Sequence, residues 1–198
     1  LWFPFETGYG SLLEKLPPET IVFYAPKVLK DSSITWLTER IIEGVAKHGT
    51  QAVFIDHLHY LTDLKELAEA HSVSLFIGSQ MRRLKRLADE YKLLIFLVAH
   101  LRKIDLDKTK NQVPEIDDLR DASFVGQEAD AVLLMWRHRE KDPSKPEGYT
   151  VTDRARIAVR KNRRTGKLGT VKVVYRQAEN IYIAEDEFFA TLCRPEEE

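Results

Sequence analysis

Three short apolar runs, each closed by a polar residue, constrain this chain more than any other feature. Leu1–Phe5 closes in Glu6, Ala52–Ile55 in Asp56, and Leu93–Ala99 in His100. A strand with one wet face alternates apolar and polar residues. A continuous apolar run marks a strand covered on both faces, the habit of parallel sheets. Helical patterns lie between the runs. Asp31, Ser32 and Ser33 offer caps, Ile34, Leu37, Ile41 and Val45 share one face, and Gly49 ends the segment. Ser72–Tyr91 reads as a second helix, basic over Arg82, Arg83, Lys85 and Arg86. Strands alternating with helices predict an α/β domain with a mainly parallel sheet flanked by helices. Ligands on such sheets bind beyond the carboxyl ends of the strands, where Glu6, Asp56 and His100 stand.

The remaining segments extend this plan. Leu12–Leu16 allows one helical turn before Pro17 and Pro18, and Ile21–Ala25 is a β-branched and aromatic strand. Leu101–Pro114 is polar and reads as a mobile loop, and Asp117–Asp130 as a short helix. Ala131–Trp136 is a further strand, followed by a Pro/Gly/charge loop over 139–150, centred on Arg139–Gly148. Ala155–Lys161 and Thr170–Tyr175 form a hairpin around Arg164–Gly169, with Gly166 and Gly169 as turn residues. Ile181–Ile183 is an edge strand, and residues 195–198 are an acidic tail. The late strands predict a C-terminal antiparallel extension. The 198 residues suit a single domain over 1–198.

Composition excludes several classes. Hydrophobic residues at 43% and charged residues at 31% are globular proportions. Thirty basic and 31 acidic residues nearly cancel, so a uniformly basic surface is excluded while local basic loops are not. The single cysteine, Cys193, allows neither an internal disulfide nor a zinc cluster, which fits a reducing, cytoplasmic compartment. The longest aliphatic run, Leu93–Ala99, is far short of the roughly 20 residues a transmembrane helix needs. His57 and His59 alternate with Asp56, but no second ligand cluster accompanies them, and no G-x-S-x-G elbow is present.

Val53-Phe54-Ile55-Asp56 has the form of a Walker B strand, whose carboxylate holds Mg²⁺ bridging nucleotide phosphates, usually through water. The same pattern also describes a strand-end Asp capping a helix. Glu6 is placed either to polarise a water or simply to face solvent. His100 reads as a γ-phosphate sensor or as a strand-end histidine bonded to backbone. In Arg160-Lys161-Asn162-Arg163-Arg164, Lys161 and Arg163 share a face if the strand runs through both, and two cations there suit phosphate. A solvated charge run is the alternative. Arg102, Lys103, Lys108 and Lys110 follow His100 and suit either nucleic-acid phosphates or plain solubility.

Together these segments resemble the RecA-like motor of replicative hexameric DNA helicases, the DnaB-like family to which the Twinkle helicase and phage helicase-primases are related. The resemblance runs in order along almost the whole chain. Leu1–Glu6 is similar to the strand ending in the family's catalytic Glu, Val53–Leu58 to its Walker B strand, and Leu97–Arg102 to its sensor strand. The most specific match is Asp118-Leu119-Arg120-Asp121-Ala122-Ser123-Phe124-Val125-Gly126-Gln127-Glu128-Ala129-Asp130, against the family's D-L-R, small residues, then Q-[DE]-A-D. Val159–Gly166 resembles its K-x-R hairpin.

The resemblance implies a RecA-like P-loop NTPase core using ATP and Mg²⁺. Glu6 would activate water, Asp56 would hold Mg²⁺, and His100 would sense the γ-phosphate. Lys161 and Arg163 would act on a neighbouring subunit's site, Arg163 as the arginine finger. Arg120, Asp121 and Ser123, with Arg102 and Lys108 from the preceding loop, would contact single-stranded DNA. A hexameric ring and a primase or helicase loader are the implied partners.

The sequence departs from the family in one respect, because it contains no G-x-x-x-x-G-K-[ST] phosphate-binding loop. In the family that loop precedes the Glu strand, so the chain reads as a fragment that by itself hydrolyses ATP poorly or not at all. Two other readings stay open: a RecA- or KaiC-like ATPase that does not unwind DNA, and a non-catalytic RecA-like module binding DNA or a partner.

Overall fold

A computed structural model describes residues 1–4, 21–22, 24, 33–61, 72–102, 114–119, 122–146 and 148–186. These divide into two compact units, one built from 1–110 and 117–129, the other from 111–116 and 130–198.

The first unit is a parallel sheet with helices. Strands β1 (Trp2–Pro4), β2 (Ala52–Asp56) and β3 (Leu94–Leu97) pair in that order, all parallel. The register sets Phe3 beside Ile55, Pro4 beside Asp56, and Ile55 beside Leu97. On the outer side of β1, the Trp2 N–H donates to Val22 O, and the Tyr24 N–H donates to Trp2 O. That is the hydrogen-bond pattern of a parallel ladder, so Val22 and Tyr24 of the segment read as a strand bond beside β1, while Phe23 and Ala25 lie outside the described residues.

Helix α1 (Ser33–His48) follows the apolar stripe of the sequence, burying Ile34, Leu37 and Ile41. Gly49, at φ +61°, ends it, and its N–H returns to Val45 O. Helix α2 (Val73–Tyr91) buries Ile77, Met81, Leu84 and Leu87. Phe3, Val53 and Ile55 form the covered face of the sheet, with the Trp36 ring of α1 edge-on to Phe3 at 5.8 Å.

The opposite face corrects the expectation of a sheet covered on both sides. Phe54, Leu94, Phe96 and Val98 are exposed, Leu94 by 58%. Trp2, Phe54 and Phe96 stack in a row across the three strands, at 5.6 and 4.5 Å between centroids. The runs are apolar on both faces, but only one face meets a helix among the described residues.

Asp117–Asp130 is not one helix. It is a 3₁₀ turn (Ile116–Asp118), a bridge between Leu119 and Leu101, and a short helix α3 (Ala122–Glu128). Phe124 of α3 fills a notch at Gly78 of α2, where an added Cβ would lie 2.8 Å from the ring. Arg82 lies over that ring and pairs with Glu128 at 3.3 Å, so one cation of the basic helix face holds α3.

The second unit is an antiparallel sheet of β4 (Ala131–Lys141), β5 (Tyr149–Asn162), β6 (Gly169–Arg176) and β7 (Ile181–Ala184), paired in chain order. β4 and β5 run well past the predicted strands, so the loop expected over 139–150 shrinks to a turn at 142–148. Charged residues mask these strand ends in the sequence. In the fold they meet across the ladder: Arg137 donates to Thr152 O and pairs with Asp153 at 3.0 Å, and Arg139 lies 4.5 Å from the Tyr149 ring. At the other end Gly166 (φ +68°) turns the β5–β6 hairpin, its N–H bonded to Asn162 O, while Gly169 already belongs to β6.

Candidate functional site

The site predicted from sequence falls on three kinds of ground. Asp56 and His100 lie in the first unit, and Lys161 and Arg163 in the second. Glu6, Lys108, Arg120, Asp121 and the Ser123 side chain lie outside the described residues.

Asp56 is the last residue of β2 and His100 stands three residues beyond the end of β3. Because β2 and β3 are adjacent and parallel, both emerge at the same edge of the sheet. The backbone continues the pairing past both strand ends. Val98 N–H donates to Ile55 O at 3.0 Å, and Leu58 N–H to Val98 O at 2.9 Å. Strand alternation places Asp56 on the face of Phe54, partly exposed. The peptide between Asp56 and His57 is cis. His57 then turns inward, only 8% exposed, and its ring meets that of His100 edge-on, with centroids 4.3 Å apart and planes at 77°. His57 was noticed in the sequence only for its alternation with Asp56, and nothing in a linear reading pairs it with His100.

Beyond His100 the chain is tethered at once. Leu101 bridges Leu119, and the Arg102 N–H donates to Asp118 O at 2.7 Å. The Arg102 side chain is exposed. The residues following Leu119 are Arg120 and Asp121, which the sequence reading expects to contact nucleic acid and which lie outside the described residues.

In the second unit Lys161 lies near the end of β5, opposite Val132. Arg163 does not continue the strand as the sequence reading assumed. It is the first turn residue, its N–H bonded to Asp130 O at 2.8 Å and its guanidinium 3.5 Å from the Asp130 carboxylate. Asn162 clasps the turn, its side chain donating to Thr165 Oγ1 and accepting from the Thr165 N–H. Arg160, in the same basic run, is engaged elsewhere, with Pro114 O at 3.3 Å and Glu115 at 3.2 Å. Within this unit His138 is held below the usual histidine range, by burial first and then by Arg156 and Arg154, against Glu185 and Glu140.

Among the described residues no three His, Cys, Asp or Glu side chains gather as a metal cluster, and no helix is long and apolar enough to cross a membrane. A nucleotide-bound Mg²⁺ needs less than a cluster, since it keeps several waters and takes one or two carboxylates. Asp56, a partly exposed carboxylate at the carboxyl end of a parallel strand, fits that need.

Comparison with known proteins settles the lineage. The family described as the DnaB-like helicase C terminal domain matches residues 21–183, well over half of the chain. The chain belongs to that family. Two curated relatives are similar: the replicative DNA helicase DnaB of Mycoplasma genitalium, 27% identical over 164 residues, and that of Leifsonia xyli subsp. xyli, 29% identical over 128 residues. The matches cover 80% and 64% of this chain but only 34% and 26% of those relatives. Among solved structures, one of a DnaB-like replicative helicase and its interactions with primase matches with TM-score 0.62 at 20% identity, over 81% of this chain and 36% of that one. A second solved structure, of an ATPase domain, matches with TM-score 0.60 at 21% identity, over 77% of this chain and 51% of that one. The fold is therefore that of the DnaB-like ATPase domains, RecA-like α/β, with the antiparallel extension expected from the sequence.

Proposed function

We propose that this chain is the C-terminal RecA-like motor portion of an ATP-dependent replicative DNA helicase, with ATP bound at subunit interfaces and its hydrolysis driving movement along single-stranded DNA. The observation carrying this reading is the shared strand edge, where Asp56 and His100 leave adjacent parallel strands and the chain after His100 is tied to the start of the Asp118–Asp130 segment.

The roles follow from chemistry. Bound Mg²⁺ neutralises phosphate charge and orients the transferring group. Asp56 holds it, usually through water, and Glu6 orients and deprotonates the attacking water. His100 faces the terminal phosphate by hydrogen bond. Lys161, near the end of β5, and Arg163, in the exposed turn after it, serve a neighbouring subunit's site. Arg163 stabilises transition-state charge, a contribution worth roughly 10³–10⁵ in rate for an arginine finger. Arg120, Asp121 and Ser123, with Arg102 and Lys108, hold the single-strand backbone. The single RecA-like domain over 1–198, a hexameric ring, a primase or loader partner and a cytoplasmic location complete the reading.

The test is a polypeptide joining this chain to a G-x-x-x-x-G-K-[ST] segment. There Arg163→Ala abolishes DNA-stimulated ATP hydrolysis and leaves nucleotide binding intact. Loss of binding with turnover per bound nucleotide unchanged removes the trans-acting role. A non-catalytic DNA- or partner-binding module is the alternative that the same experiment addresses. A joined polypeptide that binds ATP but neither hydrolyses it nor displaces a strand from a forked duplex selects that reading.

A further inference from the structure

We propose that His57 is a positioning residue that fixes the ring of His100, and through it the tether from β3 to the segment preceding Arg120. The proposal rests on the reading of His100 as the residue facing phosphate, and it assigns to that site a side chain that no part of the mechanism above uses.

The argument begins with burial. His57 is only 8% exposed, so its ring is packed within the sheet edge rather than free in solvent. His57 is also held in place from both sides. Ile55 O accepts from the Val98 N–H and Leu58 N–H donates to Val98 O, so the residues flanking His57 grip one residue of the neighbouring segment. After His57 the chain enters a 3₁₀ turn, Leu58–Leu61, whose Leu58 and Leu61 are fully buried. Val98 is two residues before His100. The two imidazoles are thus short extensions from a common backbone anchor, and they meet edge-on, an orientation aromatic pairs favour.

The contact is asymmetric. His57 is buried and its backbone pinned, whereas His100 is exposed and opens the segment that leaves the sheet. The buried ring therefore sets the exposed one. Directly after His100, Leu101 bridges Leu119 and the Arg102 N–H donates to Asp118 O at 2.7 Å. The His100 ring is thus oriented by His57 one residue away from this bridge, and His57 does so without touching substrate.

The test uses the full chain, isotopically labelled, at one fixed pH and without nucleotide. In the wild-type chain, ring-to-ring NOEs connect His57 and His100. His57→Leu keeps apolar bulk but removes the ring: the His100 ring resonances shift, and the Arg102 amide exchanges about tenfold faster. His57→Phe restores an aromatic edge and returns both to near wild type. Amide resonances of α1, in the same unit as His57, report whether each variant is folded, and the NOE needs no variant at all. The proposal is overturned by absence of the NOE, by His57→Leu leaving His100 and Arg102 unchanged, or by His57→Leu and His57→Phe behaving alike. Because no nucleotide is present, these outcomes are separate from failure of the motor reading, which the Arg163→Ala experiment decides.

Discussion

Lys92 ends α2 in the left-handed conformation, φ 56° and ψ 44°, with its N–H returned to Ala88 O. A lysine there carries the Cβ strain that glycine avoids. Lys92→Gly is therefore expected to stabilise the chain by about 0.5 kcal/mol, the loss of strain exceeding the added freedom of the unfolded chain. A rise in the urea midpoint at unchanged slope is the check. His138 supplies a pH effect of definite sign. Its pKa is held down in the folded protein by burial and by Arg156 and Arg154, so folding favours the neutral ring. That stability is present above the unfolded histidine pKa, about 6.5, and is lost as pH falls below it toward the folded value. His138→Gln should flatten the fall in stability below pH ~6.5, and urea melts across that range measure it.

At the scale of elements, α2 and α3 meet through a glycine. Adding a methyl group at Gly78 places Cβ 2.8 Å from Phe124 Cγ and 3.1 Å from its Cβ, too close to absorb without moving the ring. Gly78→Ala should cost about 1–3 kcal/mol, as overpacking does, and shift Phe124 off the Arg82 guanidinium. Denaturant melts read the first effect. The second appears as faster exchange of the Ala129 amide, which is bonded to Val125 O at 3.2 Å. Had the notch been a simple gap, the substitution would be neutral. The element scale also shows where linear reading fails. The periodicity of α1 and α2 and the apolar runs of β2 and β3 were legible because one face of each helix and one face of β2 are buried, and one face of β3 is half-buried. The outer halves of β4 and β5 were not, because Arg137, Arg139 and Asp153 are strand residues whose partners lie across the ladder.

For the whole molecule, the family assignment and the missing phosphate-binding pattern make one joint prediction. The G-x-x-x-x-G-K-[ST] pattern, whose backbone N–H groups cradle phosphates and whose lysine meets them, does not occur within residues 1–198. A mant-ATP titration of this chain is expected to show no tight, Mg²⁺-dependent binding, and such binding would contradict the assigned dependence on that loop. The sequence by itself determined the α/β class, the apolar runs that precede Asp56 and His100, and the likeness to DnaB-like helicases, because hydrophobic period and short motifs are local properties of the chain. Only the tertiary structure decided that one face of the parallel sheet stays apolar and exposed, that Arg163 sits in a turn beside Asp130, and that His57 packs on His100. Each of those depends on which segments meet, and pairing across dozens of residues is fixed by strand register and side-chain packing rather than by any local pattern.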